Sequence, residues 1–256
     1  MQQSPKRPAK RGLRIALITL GTIAGIMAIA VLGFVVWALP GAGPEDLPEG
    51  MLSSDTRVLV AEQGGYTFLP RDVMPDTGFI FYTGGLVREA SYAGIARGLA
   101  ERGIGVFLPG MPLNLAVLNA NAAADIIAAN PCIDRWVVAG HSLGGAMAAA
   151  FADGNRELVS GLVLLASYPA EANDLSASDI PVLSVYAEND GLASPEEVRS
   201  RDGLLPDSTA YMEIPGGNHA RFGHYGAQEG DRPAQITREA QQEQTLQAIL
   251  RFVAGL

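Results

Sequence analysis

The first apolar pattern along the chain is unbroken. From Ile15 to Leu39, 25 residues run without a charge, as "IALITLGTIAGIMAIAVLGFVVWAL". A helix of about 20 residues crosses the hydrocarbon core of a bilayer, so this run predicts a membrane-spanning helix. It outlasts the apolar region of a cleaved leader, which holds about 7–15 residues, and only Gly41-Ala42-Gly43 offers a weak small-residue cleavage site. An uncleaved signal anchor is the better reading.

After Thr56 the pattern changes to short apolar runs that alternate with stretches of helical period. "TRVLVAEQGGYTFLP" predicts two strands turning at Gly64-Gly65. "GFIFYTGG", "GIGVFLPG", "RWVVAGH", "SGLVLLASYP", "IPVLSVYA" and "STAYMEIPG" each predict one strand. Arg88 to Arg102 reads as a helix with Tyr92, Ile95, Ala96 and Leu99 on one face. The Ala-rich run from Leu115 to Ala129 and the run from Leu143 to Ala152 read as two more. Pro233 to Ala254 closes the chain as an amphipathic helix bearing Ile236, Ala240, Leu246, Ile249, Leu250 and Val253. Strands alternating with helices predict an α/β fold, a mostly parallel sheet with helices on both faces. Sites in such sheets form beyond the carboxyl ends of the strands. The expected organisation is a basic segment (1–14), the span (15–39), a Pro-, Gly- and acid-rich linker (40–56) and one domain (57–256).

Charge adds topology. The net charge is −9, yet Lys6, Arg7, Lys10, Arg11 and Arg14 stand unopposed in the first 14 residues, which leaves the remainder near −14. Basic residues before the span and Glu45, Asp46 and Glu49 after it predict a cytoplasmic N-terminus and an extracytoplasmic body. An acidic body argues against nucleic acid as a partner. Gly21 and Gly25 form a G-x-x-x-G, a weak signal for oligomerisation through the span. One cysteine, Cys132, and three histidines leave too few ligands for a structural zinc site, and no cofactor is called for.

The chemistry concentrates in Gly140-His141-Ser142-Leu143-Gly144, a G-x-S-x-G placed between a predicted strand and a predicted helix. That context suits a nucleophile elbow, a sharp turn that presents the Ser142 hydroxyl above the sheet edge. The Leu143 N–H, at the helix N-terminus, is then available to a developing oxyanion. A reactive serine needs a base, and the base needs an acid to orient it. His141 adjoins the serine and reads as a bystander of the turn. His219, in "IPGGNHARFG", lies where the base is expected, with His224 a weaker alternative. The loop after Tyr186 supplies Glu188 and Asp190, of which Asp190, before Gly191, fits the acid better. A second oxyanion donor is expected from "YTGGLV", at Gly85 or Leu86. Arg221, Phe222 and Tyr225 are candidates to wall the pocket or pin the His219 loop.

Together these residues resemble the alpha/beta-hydrolase superfamily. The stretches "FYTGGLVREASYAGIARGLAERGIGVFLP", "GHSLGGAMAA", "GLVLLASYPA" and "GGNHARFGHYGAQEGD" resemble its small fold-5 family, near the dienelactone hydrolases, over residues 57–256. The resemblance implies a triad of Ser142, Asp190 and His219 acting on an ester-like small molecule, a carboxylic ester or lactone. Dienelactone hydrolases carry a cysteine where this chain has Ser142, so a dienelactone substrate is not implied. Ala170 to Asp179 is too short for a lid domain. The alternative is a catalytically silent or non-hydrolytic protein on the same scaffold, such as a binding protein, lyase or acyltransferase.

Overall fold

The computed structural model describes the backbone from Ala9 and the side chains from Ile15 to the C-terminus, so the basic side chains before Ile15 lie outside the described residues. The chain divides after Pro40 into two compact units. The first is one helix, α1 (Ala9–Ala38). Its segment Ile15–Ala38, with mean hydropathy 2.5, is long and apolar enough to cross a membrane. Gly21 and Gly25 lie one turn apart on it, and nothing comes within 4 Å of where a Cβ would sit on either.

The second unit, Gly41–Leu256, is built on one eight-stranded sheet. β1 (Val58–Glu62) and β2 (Gly65–Pro70) form the predicted hairpin, and β2 runs antiparallel to β4 (Gly105–Pro109). β3 (Thr77–Tyr82), β5 (Arg135–His141), β6 (Gly161–Leu165), β7 (Val182–Ala187) and β8 (Ala210–Ile214) continue in parallel. The spatial order is β1-β2-β4-β3-β5-β6-β7-β8. Every residue of β3, β6 and β7 is buried, which is why these strands read as unbroken apolar runs.

Strand alternation divides the interior into two cores. Phe79 and Phe81 of β3 face one core with Val137 and Ala139 of β5, and this face is covered by α2 (Ala93–Ala100) and α6 (Arg238–Val253). Ile80, Tyr82 and Val138 face the other, covered by α3 (Ala122–Ala129) and α4 (Leu143–Gly154). From β3 the chain crosses to β4 on one side, then returns past β3 to β5 on the other. The winding therefore reverses between the carboxyl ends of β3 and β5. A crevice opens at such a reversal, and ligands bind there.

Four expectations shift at the edges. The helix expected from Arg88 begins as a 3-10 turn, Glu89–Tyr92, before α2. The helix expected from Leu115 starts late, because Leu115 is extended, Ala116–Asn119 form a 3-10 turn, and regular helix begins only at Ala122. α6 starts at Arg238 rather than Pro233, where the Thr237 hydroxyl caps the Ala240 N–H at 3.2 Å. A short helix, α5 (Pro195–Arg199), was not expected, although Ser194 and Glu197 form a capping box at its start.

The expected linker is not free chain. Ala42 bridges to Val87, its N–H donating to the Leu86 carbonyl at 2.6 Å and its carbonyl accepting from the Arg88 N–H at 3.0 Å. The Glu45 N–H donates to the His224 carbonyl at 2.9 Å. Further on, the buried Arg97 guanidinium donates to the carbonyls of Gly50, Met51 and Ser53 and pairs with Asp55 at 2.8 Å. Leu47, Met51 and Leu52 pack on the first core. The body therefore begins at Gly41, and its opening segment straps the loop after β3 to the loop before α6.

Candidate active site

Ser142 is the single residue between β5 and α4, and its backbone is held at φ 53°, ψ −125°. This left-handed geometry is costly for a residue with a Cβ, at about 1–3 kcal/mol, and persists only where its surroundings enforce it. Here they do. The Ser142 N–H donates to the Leu165 carbonyl at 3.0 Å. Its carbonyl accepts from the N–H groups of Gly145 and Ala146 and from the Ser167 hydroxyl at 2.7 Å. The turn also needs missing side chains. A Cβ on Gly144 would lie 2.2 Å from the Tyr82 carbonyl oxygen, and one on Gly140 would lie 2.4 Å from the Gly144 carbonyl carbon.

Asp190 and His219 meet in a buried pair. Both side chains are almost fully enclosed, and His219 Nδ1 lies 2.7 Å from Asp190 Oδ2. Asp190 Oδ1 accepts from the N–H groups of Leu192 at 2.8 Å and Ala193 at 2.7 Å, so both carboxylate oxygens are satisfied. His219 Nε2 is buried with no hydrogen-bond partner among the described residues. Glu188 is engaged elsewhere, its carboxylate accepting from the Gly216 N–H at 2.7 Å. His224 packs against Gly94 and Gln242, away from Asp190, and burial lowers its pKa with help from Arg238.

The two backbone N–H groups expected as donors in the loop after β3 differ in their partners. The Leu86 N–H is committed to the Asn114 carbonyl at 2.7 Å. The Gly85 N–H has no such partner among the described residues, and the Gly85 Cα stands against the Leu143 side chain. The Leu143 N–H, first in α4, is likewise outside the helical ladder. Of the two residues proposed from sequence, Leu86 instead shapes the turn, with φ 59°.

His141 is more than a bystander. Its ring is buried, and Nδ1 lies 2.9 Å from the Tyr92 hydroxyl. That hydroxyl accepts from the Gly84 N–H at 3.1 Å. Burial holds the His141 pKa well below the usual imidazole range, with His219 beside it adding to the effect. A neutral Nδ1 can then accept the Tyr92 proton. The His141 ring also packs on His219, with centroids 4.5 Å apart. His141 thus links the glycine loop to the His219 ring.

Of the three pocket candidates, none borders the cavity beside Ser142. Phe222 and Tyr225 are buried against the His141 ring at 5.5 Å and 6.2 Å, on the core side of the site. Arg221 lines a separate surface hollow with Asp46 and Arg238. Two positioning groups carried no sequence signal. The Ser167 hydroxyl holds the elbow, as above. The Asp231 carboxylate accepts from the N–H groups of Gly191, His219 and Ala220, tying the acid loop to the base loop. Among the described residues no cluster of His, Cys, Asp and Glu is arranged to hold a metal.

A strand-turn-helix elbow at a sheet reversal, with a buried carboxylate–imidazole pair in the loops after β7 and β8, marks the hydrolases built on an α/β sheet. The chain belongs to the alpha/beta hydrolase family, whose profile matches residues 78–243. No curated protein matches the sequence. Among solved structures it is similar to a predicted CIB-like hydrolase from Thermoplasma acidophilum, with TM-score 0.59 and 13% identity over 75% of this chain and 98% of that one. It is also similar to MGS-MChE2, an alpha/beta hydrolase enzyme from the metagenome of lagoon sediments at Mar Chica, Morocco. There the TM-score is 0.51, with 18% identity over 64% of this chain and 90% of the other.

Proposed function

We propose that the protein is a serine hydrolase that cleaves an ester-like bond, a carboxylic ester or lactone, through an acyl-enzyme. The observation that carries this reading is the polarity of the His219 ring. Nδ1 is taken by Asp190, and Nε2 is left without a partner. In the proposed cycle Nε2 accepts the proton of the Ser142 hydroxyl as the oxygen attacks the substrate carbonyl carbon. The carbonyl electron pair moves to its oxygen, which is met by the N–H groups of Leu143 and Gly85. The intermediate collapses, and the leaving oxygen departs with the proton from Nε2. A water molecule then repeats the sequence on the acyl-enzyme, which releases the acid and restores Ser142. Asp190 fixes the tautomer throughout and stabilises the imidazolium that forms.

A fluorophosphonate probe tests the reading. Wild-type protein is expected to be labelled, while Ser142→Ala is not and His219→Ala is labelled far more slowly. Equal labelling of wild type and Ser142→Ala would remove Ser142 from its role. The apolar α1 and the basic residues before it support a single-pass anchor with the body outside the cytoplasm. Protease added to intact cells should then digest the body, and full protection of the body contradicts this orientation.

A further inference from the structure

Beside Ser142 lies a cavity of about 180 Å³. It is lined by Leu143 and Ala146 of α4, by Ala166, Ser167 and Tyr168 after β6, and by Leu192 and Ala193 after Asp190. No charged side chain lines it.

Its walls are held in place by groups that serve the site. Ser167 is hydrogen-bonded to the elbow, and the N–H groups of Leu192 and Ala193 are bonded to Asp190. Leu192 is backed by Gly230, where a Cβ would come within 2.9 Å of the leucine Cδ2. The Arg201 guanidinium stands over the Tyr168 ring at 5.8 Å and is itself paired with Glu171 at 2.9 Å. A backbone shift that widened the cavity would therefore disturb the elbow or the acid loop, whereas trimming the Tyr168 or Leu192 side chain leaves those hydrogen bonds in place.

We infer that this cavity receives the acyl part of the substrate and admits a short, neutral, unbranched chain. The inference rests on Ser142 being the nucleophile. The length follows from size. The cavity is small, and the walls that bound it are tied to the elbow and the acid loop. The reacting carbonyl occupies part of the cavity, since its oxygen turns toward Leu143 and Gly85. The neutrality follows from the lining. Two serines, one tyrosine and apolar side chains offer no counter-charge, so an acyl group bearing a carboxylate would lose its hydration without a partner.

The experiment is a chain-length series on the full-length protein in detergent, using p-nitrophenyl acetate, butyrate, octanoate and laurate, with p-nitrophenyl hydrogen succinate as the charged acyl. The expected kcat/KM is highest for acetate or butyrate and about tenfold or more lower for octanoate and for the succinate. Tyr168→Ala and Leu192→Ala should each raise the octanoate-to-butyrate ratio, by about tenfold, with fluorophosphonate labelling of Ser142 retained. Octanoate or laurate turned over by wild type as well as butyrate overturns the inference. So does a ratio that neither substitution moves, or succinate accepted as readily as butyrate. These outcomes leave the serine-hydrolase reading standing. Failure of every ester and of the phosphonate to react at Ser142 overturns both.

Discussion

Tyr92→Phe isolates the hydroxyl that joins the glycine loop to His141. The substitution keeps the ring, and with it the packing on Phe81 at 4.8 Å between centroids. It removes one oxygen from a side chain that is 1% exposed. Two hydrogen bonds go with it, from the Gly84 N–H at 3.1 Å and to His141 Nδ1 at 2.9 Å. Both partners are buried, so water does not replace the lost oxygen without rearrangement. A buried polar group left unsatisfied costs about 1–3 kcal/mol, and two coupled ones cost about 2–4 kcal/mol together. For a body of this size each kcal/mol moves the melting temperature by about 2–4 °C, which predicts a fall of about 5–15 °C. Differential scanning calorimetry of the two proteins measures it. A second arm repeats the change in a His141→Ala background, where one of the two orphaned groups is already gone and the cost should shrink by about 1 kcal/mol. A melting temperature within about 1 °C of wild type would refute the reasoning, because it would mean the hydroxyl bears no load that water cannot take over.

Acid should also destabilise the fold. Burial holds His141 and His224 below the ordinary imidazole pKa, while the unfolded chain protonates both below about pH 6.5. Stability is therefore complete above that pH and falls as pH drops through it toward the folded values. For His141 the slope approaches about 1.4 kcal/mol per pH unit. Urea unfolding across this range measures it, and a flat profile contradicts a neutral, enclosed His141. At the elbow, Ser142→Gly should stabilise the protein by about 0.5–2 kcal/mol relative to Ser142→Ala, because glycine adopts φ 53° without strain. Equal melting temperatures for the two variants would mean that the turn stores no strain.

The elements that chemistry needs most were the most legible. β5 and α4 announce themselves because a Val-rich run, a G-x-S-x-G and an Ala-rich run follow without a gap. The Asp190–His219 pair could be expected from chain order and loop position, since each lies in a loop that follows a late parallel strand. What could not be read were contacts made across the fold by residues with no periodic signature. Asp231 sits in a polar connector, and its carboxylate gathers N–H groups from the far end of that connector and from the loop after β7. The choice between Gly85 and Leu86 depended on Asn114, a residue 28 positions beyond Leu86, turning its carbonyl inward. His141 was dismissed because adjacency to Ser142 excludes it as a base. Nothing local reveals that its ring meets Tyr92 and His219. The segment 41–56 looked like a tether because its composition is that of one. Its pairing with Arg97, Leu86 and His224 is long-range and leaves no pattern in the sequence.

The docked opening segment bears on where a protease can cut between α1 and the body. Enzymes held by an exposed stalk can be shed, because a protease finds an extended, unpinned stretch of chain between anchor and body. Here the corresponding residues are engaged at Ala42, Glu45, Gly50, Met51, Ser53 and Asp55. A cut among them would sever chain that belongs to the fold and would loosen the strap across the Leu86 and His224 loops. On the anchored reading proposed above, the cut that freed the body would also loosen its fold.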